Sequence, residues 1–333
     1  MANTIKISKK IKINLHILLV IISVLIMFLV TGCENKKRKI LNIGILQFME
    51  HNCLDESRQG FIKGLEENGY KDGENIKIDY QNASGEQSNC NQIGSKFKNE
   101  NKDLILAIGT PAAQSLANMI KDTPILITAV TNPAESGLVN SNEKPGKNVT
   151  GTSDLNPPEK QIKLIKKILP NAKNVAVFYS SGEVNSKIQA ELAVKECEKI
   201  DLKPIIYTVS NPTEIESIIN SMNKNKIDVI FVPTDNLIVS AMPHVSQTAT
   251  RLKIPIICSE ENSVKNGALG TYSISYFELG RITALQAIKI LKKETLPENM
   301  AIEYLKDSKL IINFETLEKL KIEISDNLKE ELK

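Results

Sequence analysis

From Ile40 onward, short β-branched runs alternate with stretches of helical period. Residues 40–48, 76–80, 104–108 and 125–130 read as strands, near-continuously apolar as strands covered on both faces must be. Between them, 55–68 sets Phe61, Ile62 and Leu65 on one stripe and stops at Gly69. Residues 110–121 do the same with Ala113, Leu116, Ala117 and Ile120. The grammar restarts after Val149-Thr150-Gly151 with a helix over 158–169 that ends at Pro170. Strands 175–179, 204–209, 229–232 and 254–258 then alternate with helices 186–200, 213–223 and 237–252. Strand 268–274, helix 278–293, short strands near Ile302 and Ile311 and a helix over 315–320 complete the chain. This alternation predicts an α/β fold with mainly parallel sheets.

The two halves echo one another. Asp103 opens the run Leu104-Ile105-Leu106-Ala107-Ile108-Gly109-Thr110, followed by a helix and Pro124-Ile125. Asp228 opens Val229-Ile230-Phe231-Val232-Pro233-Thr234, followed by a helix and Pro255-Ile256. The echo predicts two similar doubly wound lobes joined by a hinge, one over 40–152 plus 275–299, the other over 153–274 plus 300–333. Facing lobes of this kind form a cleft lined by strand C-terminal ends and helix N-termini, where open α/β sheets bind ligands.

The first 39 residues follow a different rule. Lys6, Lys9, Lys10 and Lys12 precede an apolar run from Ile17 to Val30 broken only by Ser23. As a helix that run is roughly 21 Å long, short for a bilayer span. It closes on Val30-Thr31-Gly32-Cys33, similar to a bacterial lipobox. We therefore expect a lipoprotein signal over 1–32, lipidation at Cys33 and a polar tether over 33–39, with a short membrane anchor as the alternative. The lipid would hold the chain on the extracytoplasmic face of the cell membrane. Removing four lysines and no acid takes the formal charge from +3 to near −1, which speaks against a nucleic-acid partner. Four further cysteines remain, and in an oxidising compartment Cys53–Cys90 and Cys197–Cys258 bridges are open possibilities.

The residues for covalent or metal chemistry are missing. No G-x-G-x-x-G follows the first strand, and neither a P-loop nor a G-x-S-x-G elbow is present. Only His51 and His244 stand outside the signal, and no Cys/His spacing suits zinc. The expectation is a non-enzyme without cofactor or metal. What the strand ends offer is polar groups for grasping. Glu50 and His51 follow the first strand, and Gly109-Thr110-Pro111-Ala112 sets a hydroxyl and free N–H groups at a helix start, a carboxylate site or an ordinary Thr cap. Ala129 and Thr131 close the fourth strand; Ser180 and Ser181 close the first strand of the second half. Asp235 and Asn236 follow Pro233-Thr234, and Glu260 follows Cys258-Ser259. Each is also a common turn or cap residue. Their convergence on one cleft makes them candidates.

These residues carry a resemblance. Glu50-His51 with Leu54-Asp55, Arg58-Gln59-Gly60-Phe61, Thr110-Pro111-Ala112-Ala113-Gln114, 148–154, Val232-Pro233-Thr234-Asp235-Asn236 and Tyr276-Phe277-Glu278-Leu279-Gly280 together resemble the substrate-binding proteins of ABC importers. The resemblance is to the family of tryptophan and tyrosine binding proteins and covers 40–324. It implies type I periplasmic-binding architecture with crossings near 151–154, 273–276 and 298–301, an amino-acid ligand of aromatic character, ABC permease partners and a monomer. A sensory binding protein presenting its liganded form to a membrane receptor is the alternative. A zwitterion needs donors for its carboxylate, for which Thr110 and Thr131 are expected, and an anion for its ammonium, for which Asp235 is expected unless it only caps a helix.

Overall fold

The computed structural model describes residues 40–332; the signal, Cys33 and the tether lie outside them. The first half forms β1 (Leu41–Gln47), α1 (Asn52–Glu67), β2 (Ile76–Asn82), α2 (Gln87–Asn99), β3 (Leu104–Ile108), α3 (Thr110–Met119), β4 (Ile125–Val130) and β5 (Val149–Ser153). The second forms α4 (Glu159–Ile168), β6 (Asn174–Ser180), α5 (Val184–Lys199), β7 (Lys203–Val209), α6 (Ile215–Lys224), β8 (Val229–Val232), α7 (Asn236–Ser240) and α8 (Met242–Arg251). β9 (Ile256–Cys258), α9 (Glu261–Lys265) and β10 (Gly270–Ser273) follow. The chain then runs through α10 (Tyr276–Leu291), β11 (Glu303–Tyr304), β12 (Lys309–Ile312), α11 (Phe314–Leu320) and α12 (Asp326–Glu330).

Two six-stranded sheets result, ordered β11-β5-β4-β3-β1-β2 and β12-β10-β9-β8-β6-β7. The orders match position for position, and every pairing is parallel except β10 with β12. The sequence echo has a structural cause. Asp103 Oδ2 accepts the N–H of Asn42 at the start of β1, and Asp228 Oδ2 accepts those of Lys173 and Asn174 at the start of β6. Each aspartate ties one central strand to the next. β3, β4 and β8 are buried at every residue, as their unbroken apolar runs require.

Three crossings join the lobes. The chain leaves the first sheet after β5, returns between β10 and α10, and leaves again between β11 and β12. The third crossing was expected near 298–301 and falls later. Thr152 and Ser153 of β5 pair with Glu303 and Tyr304, and the Glu298 carbonyl accepts from Gly146, so 298–304 belongs to the first lobe.

Helices α1 and α10 pack at backbone contact. A Cβ on Gly60 would lie 1.9 Å from the Phe277 carbonyl oxygen, and one on Gly280 would lie 1.9 Å from that of Ser57. This contact holds the N-terminal ends of both helices, which carry Cys53 and Tyr276, in fixed relation.

Other differences from the sequence reading have local causes. The helix expected over 237–252 breaks at Ala241, because Pro243 at the start of α8 cannot donate to Val239 and its ring would clash there. Helix α2 was not anticipated: QSNCNQIGSKFKN is polar, and only Cys90, Gly94 and Phe97 are buried. All four cysteines in the described residues are free and buried, so neither possible bridge is formed.

Candidate ligand-binding site

The cleft lies where the strand ends of the two sheets meet. On the first lobe, Gln47 at the end of β1 donates to the Met49 carbonyl at 2.8 Å and to Asp55 at 2.9 Å, and Arg58 donates to Gln47 at 3.0 Å. This network fixes the turn into α1. His51 is the N-cap of α1 without capping it through its side chain. Its ring is turned across the cleft instead, with Nε2 3.1 Å from Asn236 Oδ1.

On the second lobe, Asp235 N-caps α7. Oδ1 accepts the N–H of Ile238 at 2.8 Å and Oδ2 that of Ser180 at 2.6 Å. Burial, and next the negative charge of Glu183, push its pKa up from 3.8 to about 7. Glu183 is itself buried and receives the N–H groups of Asn236 at 3.1 Å and Leu237 at 2.9 Å, together with the side chains of Asn185 and Asn236. Glu260 N-caps α9 through the N–H groups of Asn262 and Ser263, and also accepts from the Ser263 hydroxyl. Both Asp235 and Glu260 are occupied in holding up their own lobe.

Between the lobes stands Asp154, on the first crossing and 2% exposed. Tyr276, at the head of α10, donates its hydroxyl to Asp154 Oδ2 at 3.2 Å. Asp154 Oδ1 has no hydrogen-bond partner. Burial raises the Asp154 pKa from 3.8 to about 6, against the opposing pull of the nearby Thr131 and Tyr276 hydroxyls. Other buried polar atoms near it are also unpartnered: Asn185 Oδ1 and His51 Nδ1 on the same cavity, and Thr131 Oγ1. A folded protein pairs nearly all such atoms, so free ones on the wall of a cleft are where a ligand or water can bond. Ala129 adds backbone strain, at φ +52° where β4 slips register against β5.

A narrow gap of about 10 Å³, little more than one water, joins these groups. Its first-lobe wall is His51, Cys53, Leu54 and Ala129, with Asp154 and Tyr276 at the hinge; its second-lobe wall is Asn185, Thr234, Asp235, Asn236, Val239 and Glu260. Of the residues singled out from the sequence, His51, Ala129, Asp235, Asn236 and Glu260 thus line the cavity. Thr110, Ala112, Thr131 and Ser180 are buried and do not line it, and Glu50 and Ser181 face solvent. Gly109, not Thr110, is the N-cap of α3, which leaves the Thr110 hydroxyl unpartnered. Sequence reasoning missed Asp154, Asn185, Glu183 and Tyr276 as site residues. Asp154 was visible only as the end of a crossing segment, and Glu183 as the tail of a polar strand end.

A family model described as ABC transporter substrate binding protein matches residues 42–332. The chain belongs to that family. As an ABC transporter substrate-binding protein it is similar to a tyrosine-binding protein of Clostridioides difficile (strain R20291), 45% identical over 326 residues covering 93% of this chain and 94% of that one. Among solved structures, a Streptococcus pneumoniae domain in complex with L-Trp is 37% identical, covers 88% of this chain and 98% of its own, and superposes with a TM-score of 0.85. A ligand-free, open substrate binding protein with adhesive properties from Clostridium difficile is 44% identical, covers 86% and 97%, and gives 0.68. The more divergent chain superposes better. This chain thus superposes more closely on the Trp complex than on the open structure.

Proposed function

We propose that this substrate-binding protein captures a zwitterionic aromatic amino acid, tyrosine or tryptophan, between its lobes and delivers it to an ABC permease. It binds without turnover, as a monomer held on the extracytoplasmic face by a lipid on Cys33. The observation that carries the ligand class is Asp154: a buried carboxylate with one free oxygen, on the same cavity as the free amide oxygen of Asn185. An ammonium group satisfies both. The Thr131 hydroxyl nearby can donate to the carboxylate end of a zwitterion, while His51 Nδ1, left an acceptor because Nε2 donates to Asn236 Oδ1, suits an N–H or hydroxyl of the ligand. Leu54, Val239, Ala129 and the Tyr276 ring supply apolar wall. The names of the tyrosine-binding relative and the L-Trp complex support the aromatic side chain.

Titration calorimetry with L-tyrosine, L-tryptophan, tyramine and myo-inositol tests this reading. Either amino acid should bind, tyramine should bind more weakly for lack of a carboxylate, and the neutral polyol should not bind. Binding of the polyol, or no binding of either amino acid, overturns the assignment.

A further inference from the structure

One buried wall of the cleft is held by a small side-chain network that the ligand reading does not use. In the first turn of α1, the Cys53 thiol donates across the gap to Glu260 Oε2 at 2.8 Å. Asn262 Nδ2 lies 3.5 Å from the same sulfur, and Asn52 Nδ2 donates to Asn262 Oδ1 at 3.2 Å. Glu260 and Asn262 are the cap and the second residue of α9, so one short segment of each lobe meets the other. Cys53 is 2% exposed. Burial, and then the charge of Glu260, raise its pKa well above 9.0, which keeps the proton on sulfur where the contact needs it.

We propose that Cys53, Glu260 and Asn262 form a clasp between the lobes, with Cys53 the positioning residue that sets the balance between open and closed forms. The two partners are unequal. Glu260 keeps its bonds to Asn262 N–H and to Ser263 whether or not the lobes meet, since all of those lie in its own lobe. Cys53 has its hydrogen-bond partners only across the cleft. Opening therefore removes both partners of the thiol and brings it to water, while α9 stays capped. The other thiols do not share this fate. Cys90 lies beside Ser115 of its own lobe, Cys258 has its partners at the Glu260 and Gly270 carbonyls of its own lobe, and Cys197 is buried in the second lobe's core, so no contact across the cleft covers them.

The chemical state of one sulfur thus reads, and can block, closure. Iodoacetamide displaces iodide to form a carboxamidomethyl thioether at Cys53, removing the donated hydrogen and adding bulk that Glu260 leaves no room for. This rests on the amino-acid reading only where ligand is used as the closing agent, and the test separates the two. On the full chain, the rate of iodoacetamide labelling at each cysteine is followed by peptide mass spectrometry, with and without saturating L-tyrosine or L-tryptophan. Cys53 should label at least about tenfold more slowly with ligand, and Cys90, Cys197 and Cys258 should stay unlabelled in both. Cys53→Ala should weaken calorimetric affinity about fivefold, the size of one net hydrogen bond, and Cys53→Ser, which keeps a donor, should restore it to within about twofold. Equal labelling rates alongside measurable binding, or a Cys53→Ala chain that binds like wild type, overturn the clasp and leave the ligand class standing. If neither amino acid gives heat, the ligand reading fails and X-ray scattering decides the clasp. Carboxamidomethylated chain should then show a larger radius of gyration than unmodified chain, and identical curves overturn the proposal.

Discussion

Asp154→Asn separates what the cleft costs from what it gains. The substitution keeps the size of the side chain and an oxygen for the Tyr276 hydroxyl, and removes the charge. In the ligand-free chain the ionised carboxylate is a burden. Its pKa rises from 3.8 to about 6 because burial disfavours the anion. The folded value lies above the unfolded one, so the stability this group contributes is full below about 3.8 and is lost as pH rises through about 6. At pH 7.5 the anion then costs the closed form about 3 kcal/mol. Asp154→Asn should therefore raise the melting temperature of the ligand-free protein at pH 7.5, on the order of 5 °C, and gain nothing at pH 4. Binding should move the other way. An ammonium paired with a buried carboxylate is worth about 2–5 kcal/mol on truncation of one partner, a loss of roughly thirtyfold or more in affinity. Wild-type affinity should fall about tenfold from pH 7.5 to pH 5 as Asp154 takes up a proton, while the variant's stays flat. Calorimetry at both pH values, with thermal melts of the same samples, reads all of this. A variant that binds within threefold of wild type, or a wild type indifferent to pH, removes Asp154 from the ammonium site.

Three further outcomes follow from the same geometry. Asp235→Asn should leave calorimetric affinity within about threefold of wild type, since both carboxylate oxygens are taken by N–H groups of their own lobe and none faces the ligand; a thirtyfold loss of binding in a folded variant would return the ammonium to Asp235. Gly280→Ala should destabilise by about 3 kcal/mol or more in urea unfolding, because its Cβ meets the Ser57 carbonyl oxygen at 1.9 Å and must push α1 from α10; a change below about 1 kcal/mol would mean that this helix pair yields freely. Cys33→Ser should leave the chain unprocessed or release it from membranes in cell fractionation, and a processed variant that still sediments with membranes contradicts lipid anchoring.

Most of the architecture was legible in the pattern. Strands such as Leu104-Ile105-Leu106-Ala107-Ile108 need apolar atoms on both faces, and the paired Asp103 and Asp228 mark the same tie in each lobe. Less was legible where a segment's own composition argues against its structure. Helix α2 contributes few apolar residues, and β11 is a two-residue strand whose place is decided by Thr152 and Ser153.

The sequence alone determined which ends of which strands would be polar, and so where the cleft would be, because burial on both faces is a local demand repeated along each strand. It could not rank those polar residues. Asp154, Asp235, Glu183 and Glu260 are four acids near strand ends, alike as letters in a chain. Tertiary structure decided between them by allotting partners. Asp235 and Glu183 are consumed by backbone N–H groups of their own lobe, Glu260 by its helix and Cys53, and Asp154 alone of the four keeps an oxygen without a partner. A free lone pair is a property of the assembled surroundings, set by residues more than a hundred positions away such as Tyr276, and no local pattern encodes it.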